Sequence, residues 1–237
     1  MFQFFDTDSD SAFGAISYFD AIKEQYDAVV PQAVYGSDTA RIHISEKTIA
    51  IDFVQALHEP VTRYEFTLPH IHAFGNGKHP TTYMCLALLA ETLHTRITKK
   101  PYEITMLDAG TGTGILAIAA AVMGVTHIDA FDASIQAYEC ARNNIGNKFP
   151  ITVQCCDIQS FEPKRMYDCI TANLMTALII ASAPKFSSML ENQGYCIVSG
   201  IIDERQYEVI ETFRKYNCIL KDGQTSQGWF AGVFQKL

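Results

Sequence analysis

The sequence predicts an α/β fold: a mostly parallel seven-stranded sheet with helices on both faces and an antiparallel hairpin at its C-terminal edge. Three observations predict it. From about Pro101 onward, apolar runs of strand length alternate with helix-length stretches. One strand-to-helix junction is a glycine turn, Asp108-Ala-Gly-Thr-Gly-Thr-Gly114. The chain closes on two consecutive strand-like segments with no helix between them. Strand–helix alternation gives parallel strands covered on both faces, and consecutive strands pair as a hairpin.

In chain order, the strands are expected at Ile104–Leu107, His127–Phe131, Ile151–Cys155, Asp168–Ala172, Tyr195–Ser199, Cys218–Lys221 and Trp229–Phe234. Asp222-Gly223 and Gly228 act as breakers around the last two. The helices are expected at Ile115–Met123, Ser134–Asn144 and Thr176–Leu190, the last interrupted at Pro184. Ile202, Val209, Ile210 and Phe213 then follow an amphipathic spacing. Upstream, Tyr18–Val29 reads as a helix, and Arg41–Ser45 with Thr48–Phe53 as a hairpin around Glu46-Lys47. Pro80 suits the first position of a helix whose apolar face is Leu86, Leu89, Ala90 and Leu93. The predicted division is 1–70, an N-terminal α+β extension or lid, and 71–237, the domain that carries the glycine turn and the strand–helix alternation.

A glycine turn between strand and helix brings backbone N–H groups and a helix N-terminus up to a ligand. Asp132 ends the next apolar stretch, 22 residues after Gly110. That is the offset, about 20 residues, of a carboxylate that binds ribose hydroxyls. The ligand is thus expected to be adenosine-like. The glycines at 110, 112 and 114 do not follow the Gly-x-Gly-x-x-Gly spacing of dinucleotide sites. The turn also opens on an acid, Asp108, which repels a pyrophosphate and suits a cation. S-adenosylmethionine carries a sulfonium and an ammonium and no phosphate, so charge favours it over a nicotinamide dinucleotide.

Net charge is −8, which argues against non-specific binding to nucleic-acid backbones. The longest apolar run, Ile115 to Val125, has eleven residues, too short for a bilayer. The N-terminus lacks the basic region of a signal peptide, and the seven cysteines contain no Cys-x-x-Cys. These features predict a cytoplasmic protein without a membrane segment or disulfide framework. His70, His72 and His79 are a weak metal candidate with no further ligand at the right spacing, so no metal is expected. Cys155-Cys156 fits a core or adenine-pocket position better than a nucleophile pair. Phe2, Phe4 and Phe5 could dock a partner, although a packed or frayed terminus is the simpler reading.

Ala73-Phe-Gly-Asn-Gly-Lys-His-Pro-Thr-Thr82 resembles the Ala-Phe-Gly-Thr-Gly-x-His-Pro-Thr-Thr signature of the PrmA family. That family methylates lysine and N-terminal amines of ribosomal protein L11. Leu107 to Ala120 resembles its cofactor turn and helix; Ala172-Asn173-Leu174, Ser199-Gly-Ile-Ile202 with Gln206, and Trp229 resemble later motifs in the same order. Asn76 departs from the signature's threonine, and the first 65 residues do not match the family's N-terminal substrate domain. The resemblance implies a Rossmann-like class I methyltransferase with S-adenosyl-L-methionine as cofactor. It implies cofactor contacts from Thr82, Gly110, Asp132 and Asn173, and Phe74, Gly75, Asp108, Thr111, Gly112, Gly114 and Asp157 are further candidate cofactor contacts. Asn173 is also the candidate catalytic residue, its side-chain oxygen accepting an N–H of the nucleophilic amine. The acceptor is expected to be a protein, possibly ribosomal, or alternatively a small-molecule amine. The remaining alternative is a non-catalytic binding module on the same fold. Asn173-Leu-Met175 lacks the Pro-Pro-Tyr of amide or base methyltransferases, so an adenine-flipping enzyme is not expected.

Overall fold

The computed structural model describes residues 40–45, 47–53, 62–97 and 101–237. The expected helix Tyr18–Val29 and the phenylalanines at 2, 4 and 5 lie outside them. Three strands come first: β1 (Ala40–Ile44), β2 (Thr48–Phe53) and β3 (Thr62–Thr67). They form an antiparallel sheet in sequence order. The first two make the expected hairpin. The third was not predicted, although Tyr64 and Phe66 alternate with polar residues; they pair with Ile51 and Ile49 of β2.

Helix α1 (Pro80–Glu91) starts with Pro80 at its first turn and His79 as N-cap, whose ring accepts from the Thr81 amide. It is buried at nearly every position from Thr81 to Ala90, not along one stripe. The reason is its place: α1 and α2 (Ile115–Val122) share one apolar core with Ile49, Ile51 and Phe66 of the small sheet and with Met106 and Ile128 of the large one. Among the described residues, packing is therefore continuous across the boundary expected near residue 70.

The large sheet contains β4 (Thr105–Ala109), β5 (His127–Asp132), β6 (Ile151–Cys155), β7 (Tyr167–Asn173), β8 (Leu190–Ile202), β9 (Cys218–Ser226) and β10 (Trp229–Lys236). Their order is β6-β5-β4-β7-β8-β10-β9, parallel except for β10, which runs antiparallel to both neighbours. β7 is buried from Tyr167 to Ala172, as a central strand covered on both faces must be. Helix α3 (Ile135–Ile145) packs against β5 and β6; α4 (Thr176–Met189) and α5 (Gln206–Lys215) complete the cover. Phe213 of α5 stacks on Phe234 of β10 at 4.3 Å.

Two expected breaks do not occur. α4 runs through Pro184. Pro184 is exposed, so the Ile180 carbonyl left without its i+4 partner lies on the partly exposed face of the helix. β9 runs through Asp222-Gly223, where the Phe230 ring lies over Gly223; a Cβ there would come within 2.7 Å of it. The residue read as a breaker makes room for a cross-strand aromatic, beside a bulge in the β9–β10 ladder.

Two buried polar groups fix the loops at the sheet's carboxyl edge. Asn144 of α3 pairs with the backbone of His70, accepting from its amide at 2.8 Å and donating to its carbonyl at 2.7 Å, and also donates to the Thr113 carbonyl. Asp108, at the end of β4, accepts from the hydroxyls of Thr111 and Thr171, each at 2.7 Å. Burial pushes the Asp108 carboxyl up to about 6, against the lowering effect of those hydroxyls and the Ala117 amide.

Asn144→Ala leaves the His70 and Thr113 groups without their partner and should lower unfolding stability by about 2 kcal/mol. A denaturant midpoint that does not move would contradict this role. A folded-state Asp108 that holds its proton up to pH about 6, against 3.8 in the unfolded chain, loses stability as pH rises between those values. Asp108→Asn does not titrate, so it should gain about 3 kcal/mol relative to the parent across that window and hold the gain above it. Parallel stability curves for the two proteins from pH 4 to 8 would overturn the assignment.

Candidate active site

The chain leaves β4 toward β5 and β6, then returns to the other side of β4 at β7. The carboxyl ends of β4 and β7 therefore part, and such a switch point is where ligands bind in open α/β sheets. A cleft of about 510 Å³ opens there.

Its floor is the glycine turn. The amides of Gly110 and Thr111 both donate to the Phe131 carbonyl at 2.9 Å, which ties the turn to the end of β5. Gly112, at φ +57°, allows a close backbone approach: a Cβ there would lie 2.3 Å from the Phe74 carbonyl oxygen. The loop after His70 thus lies directly on the turn. Thr113 fastens it, its amide donating to the Phe74 carbonyl and its hydroxyl to the Gly75 carbonyl. Phe74 becomes a wall of the cleft, with His79 at 5.3 Å between ring centres and Trp229 a further 5.5 Å from His79.

Asp132 ends β5 inside the cleft. One carboxylate oxygen accepts from the Gly112 amide at 3.0 Å, the other from the Ser134 amide at 2.9 Å. Both oxygens keep a lone pair for a ligand, the arrangement needed to accept two vicinal hydroxyls. Ser134 caps α3, and with Gln136 it lines the same side of the cleft.

Asn173 ends β7 on the opposite side. Its Nδ2 donates to the Thr82 hydroxyl at 3.2 Å, and Thr82 is buried on α1. With Nδ2 turned to the protein, Oδ1 is the amide atom left for the cleft. Gly200, at φ +81°, lets the Leu174 carbonyl pass where a Cβ would sit 2.2 Å from it. Ser199 donates to the Thr81 carbonyl at 2.9 Å, holding α1 against β8.

The structure thus brings Phe74, Gly110, Gly112, Asp132 and Asn173 to one cleft, with Gly75, Thr82 and Thr111 directly behind them. Asp108 sits under the turn with its oxygens occupied, and Gly114, at φ +86°, starts α2 below it. Asp157 is placed elsewhere. It is exposed, and its carboxylate accepts from the amide and hydroxyl of Ser160, which holds its carboxyl below the usual range. Cys155 and Cys156 do not line the cleft either; Cys155 is exposed at the end of an edge strand. Among the described residues no three His, Cys, Asp or Glu side chains form a metal-ligating group. The reading from sequence missed Ser134, Gln136 and Gly200. Ser134 was detectable as a capping residue right after a strand-ending acid; Gly200 depends on the parallel pairing of β7 and β8, which no local pattern encodes.

Among the described residues no Lys or Arg lines the cleft, and Asp132 supplies its carboxylate. A phosphate-bearing ligand would find no counter-charge there, whereas a cationic adenosyl compound meets a negative wall. The volume falls within the range of small-molecule sites.

Comparison with known proteins agrees with this geometry. The family model for ribosomal protein L11 methyltransferase (PrmA) matches residues 48–237. A ribosomal protein L11 methyltransferase of Dictyoglomus thermophilum is 33% identical over 163 residues, 68% of this chain and 51% of that protein. One from Anoxybacillus flavithermus is 33% identical over 184 residues, 76% and 56% of the two chains. The chain therefore spans about half the length of the curated relatives it matches. The crystal structure of a ribosomal protein L11 methylase from Lactobacillus delbrueckii subsp. bulgaricus aligns with TM-score 0.61 and 27% identity, covering 70% of this chain and 82% of that one. The N-methyltransferase NodS of Bradyrhizobium japonicum, in complex with S-adenosyl-L-homocysteine, aligns with TM-score 0.54 over 67% of this chain and 89% of its own; at 14% identity it shows a shared fold alone. By the family match, which runs from β2 through the last strand, the chain belongs to the ribosomal protein L11 methyltransferase (PrmA) family.

Proposed function

We propose that the chain is an S-adenosyl-L-methionine-dependent methyltransferase that N-methylates lysine or N-terminal amines of a protein, ribosomal protein L11 being the first candidate. The observation that carries this is a cleft without Lys or Arg among its described lining residues, with Asp132 braced on the glycine turn at one side and Asn173 oriented by Thr82 at the other. Net charge of −8 and the absence, among the described residues, of a helix long and apolar enough to cross a membrane agree with a cytoplasmic protein acting on a basic partner.

S-adenosyl-L-methionine, when bound, supplies a methyl group already activated by its sulfonium, so the residues have alignment and desolvation to perform. Phe74, Gly110, Gly112 and Asp132 would hold the adenosyl part. Asn173 Oδ1 would accept an N–H of the incoming amine and so aim its lone pair. Thr82 acts through Asn173, fixing which amide atom faces the cleft. The Phe74, His79 and Trp229 rings exclude water beside it. A lysine amine, with a reference pKa of about 10.4, must shed its proton first, and a desolvated site carrying a second positive charge favours that loss.

Asp132→Ala should weaken cofactor binding about 10-fold to 100-fold, the worth of charge-assisted hydrogen bonds to the ribose. Titration calorimetry that finds unchanged affinity removes the ribose assignment. Asn173→Ala should lower kcat by about 100-fold while cofactor affinity stays within about threefold. Thr82→Ala should show a weaker form of the same split, restored by Thr82→Ser. Equal losses in kcat and in cofactor affinity would place Asn173 in binding only.

A further inference from the structure

Large apolar side chains stay exposed around the mouth of the cleft. Met175 is 76% exposed and Ile202 43%. Met175 lines the cleft, and Ile202 pairs in the β8–β10 ladder with Trp229, which lines it too. The Thr176 hydroxyl joins the two positions, donating to the Gly200 carbonyl at 3.3 Å and accepting from the Ile202 amide at 3.0 Å. Residues 175 and 202 are thus held on one lip. Single exposed hydrophobic residues are ordinary, but adjacent ones on the rim of a cleft mark a surface that is covered in use. An unbranched methionine adapts to varied partners.

The charge beside this lip is negative. Asp203 and Glu204 follow Ile202 directly, and the neighbouring Arg205 is held by Glu208 at 2.7 Å. Asp132 adds a carboxylate within the cleft. A small free amine has nothing to lay on Met175 and Ile202. A polypeptide carrying the amine does, and it arrives as a cation.

We propose that Met175 and Ile202 form a docking lip for the polypeptide segment flanking the acceptor amine. The lip takes small or apolar side chains next to the modified residue, and Asp203 and Glu204 favour basic residues beyond them. The inference rests on the amine-methylation reading above and extends it to the sequence around the acceptor. Nothing in the lip holds the fold: Met175 makes no side-chain cap bond to α4, and both side chains face solvent.

The test uses the full chain loaded with S-adenosyl-L-homocysteine and a short fluorescent peptide with a central lysine, alanine and valine beside it, and arginines outside. Anisotropy should show binding that weakens about tenfold in the Met175→Ser/Ile202→Ser double variant, the effect of removing two apolar contacts. A peptide with glutamates in place of the arginines should bind at least about tenfold more weakly. In turnover, the ratio of kcat/KM on the peptide to that on N-acetyl-lysine methylamide should fall about tenfold in the variant, through KM for the peptide. Equal peptide binding by parent and variant, or none by the parent, overturns the lip. Lip-dependent binding with no methylation of either amine supports the lip and sinks the amine-methylation reading instead.

Discussion

The hydrogen bond from the Gly112 amide to Asp132 is the constraint on which the site depends. It joins the turn after β4 to the end of β5, and everything at the carboxyl edge is built outward from that joint. Only a residue without a Cβ can occupy position 112, because the Phe74 carbonyl fills the space a side chain would take. The turn in turn supports the loop, through Thr113. The glycine turn, the Asp132 carboxylate and the Phe74 wall of the cleft are therefore one hydrogen-bonded unit.

Charge is arranged in two layers. Asp108 is buried beneath the turn, saturated by two threonine hydroxyls and inclined to keep its proton. Asp132 lies at the surface of the cleft with its oxygens braced by backbone amides. The buried acid holds geometry; the accessible one faces the cleft. A sequence shows two acids flanking a glycine turn and cannot rank them, because the ranking comes from which one the sheet covers.

Much of this was legible because it is local. The glycine turn, the strand-ending Asp132 and the proline-initiated α1 are short-range patterns, and they appear where expected. What failed to show was set by tertiary neighbours. Pro184 sits in an unbroken helix because its face meets water. Gly223 continues a strand because Phe230 covers it. One departure is local instead: Asp157 follows β6 much as Asp132 ends β5, but Ser160, three residues on, holds its carboxylate. The burial of α1 all round reflects a second sheet above it, and β3 of that sheet went unread despite its alternating pattern. Gly200 reaches the cleft because β8 pairs with β7, two strands separated in sequence by α4.

The account turns on where the methyl group goes. The decisive measurement is incubation of the full chain with methyl-labelled S-adenosyl-L-methionine, purified ribosomal protein L11 and a lysate of the source cell, with acid-precipitable protein separated from small molecules. Label in protein, with intact-mass gains at lysine or N-terminal amines, is the predicted result. Label confined to small molecules other than cofactor breakdown products would contradict a protein acceptor and leave a small-molecule methyltransferase on the same fold.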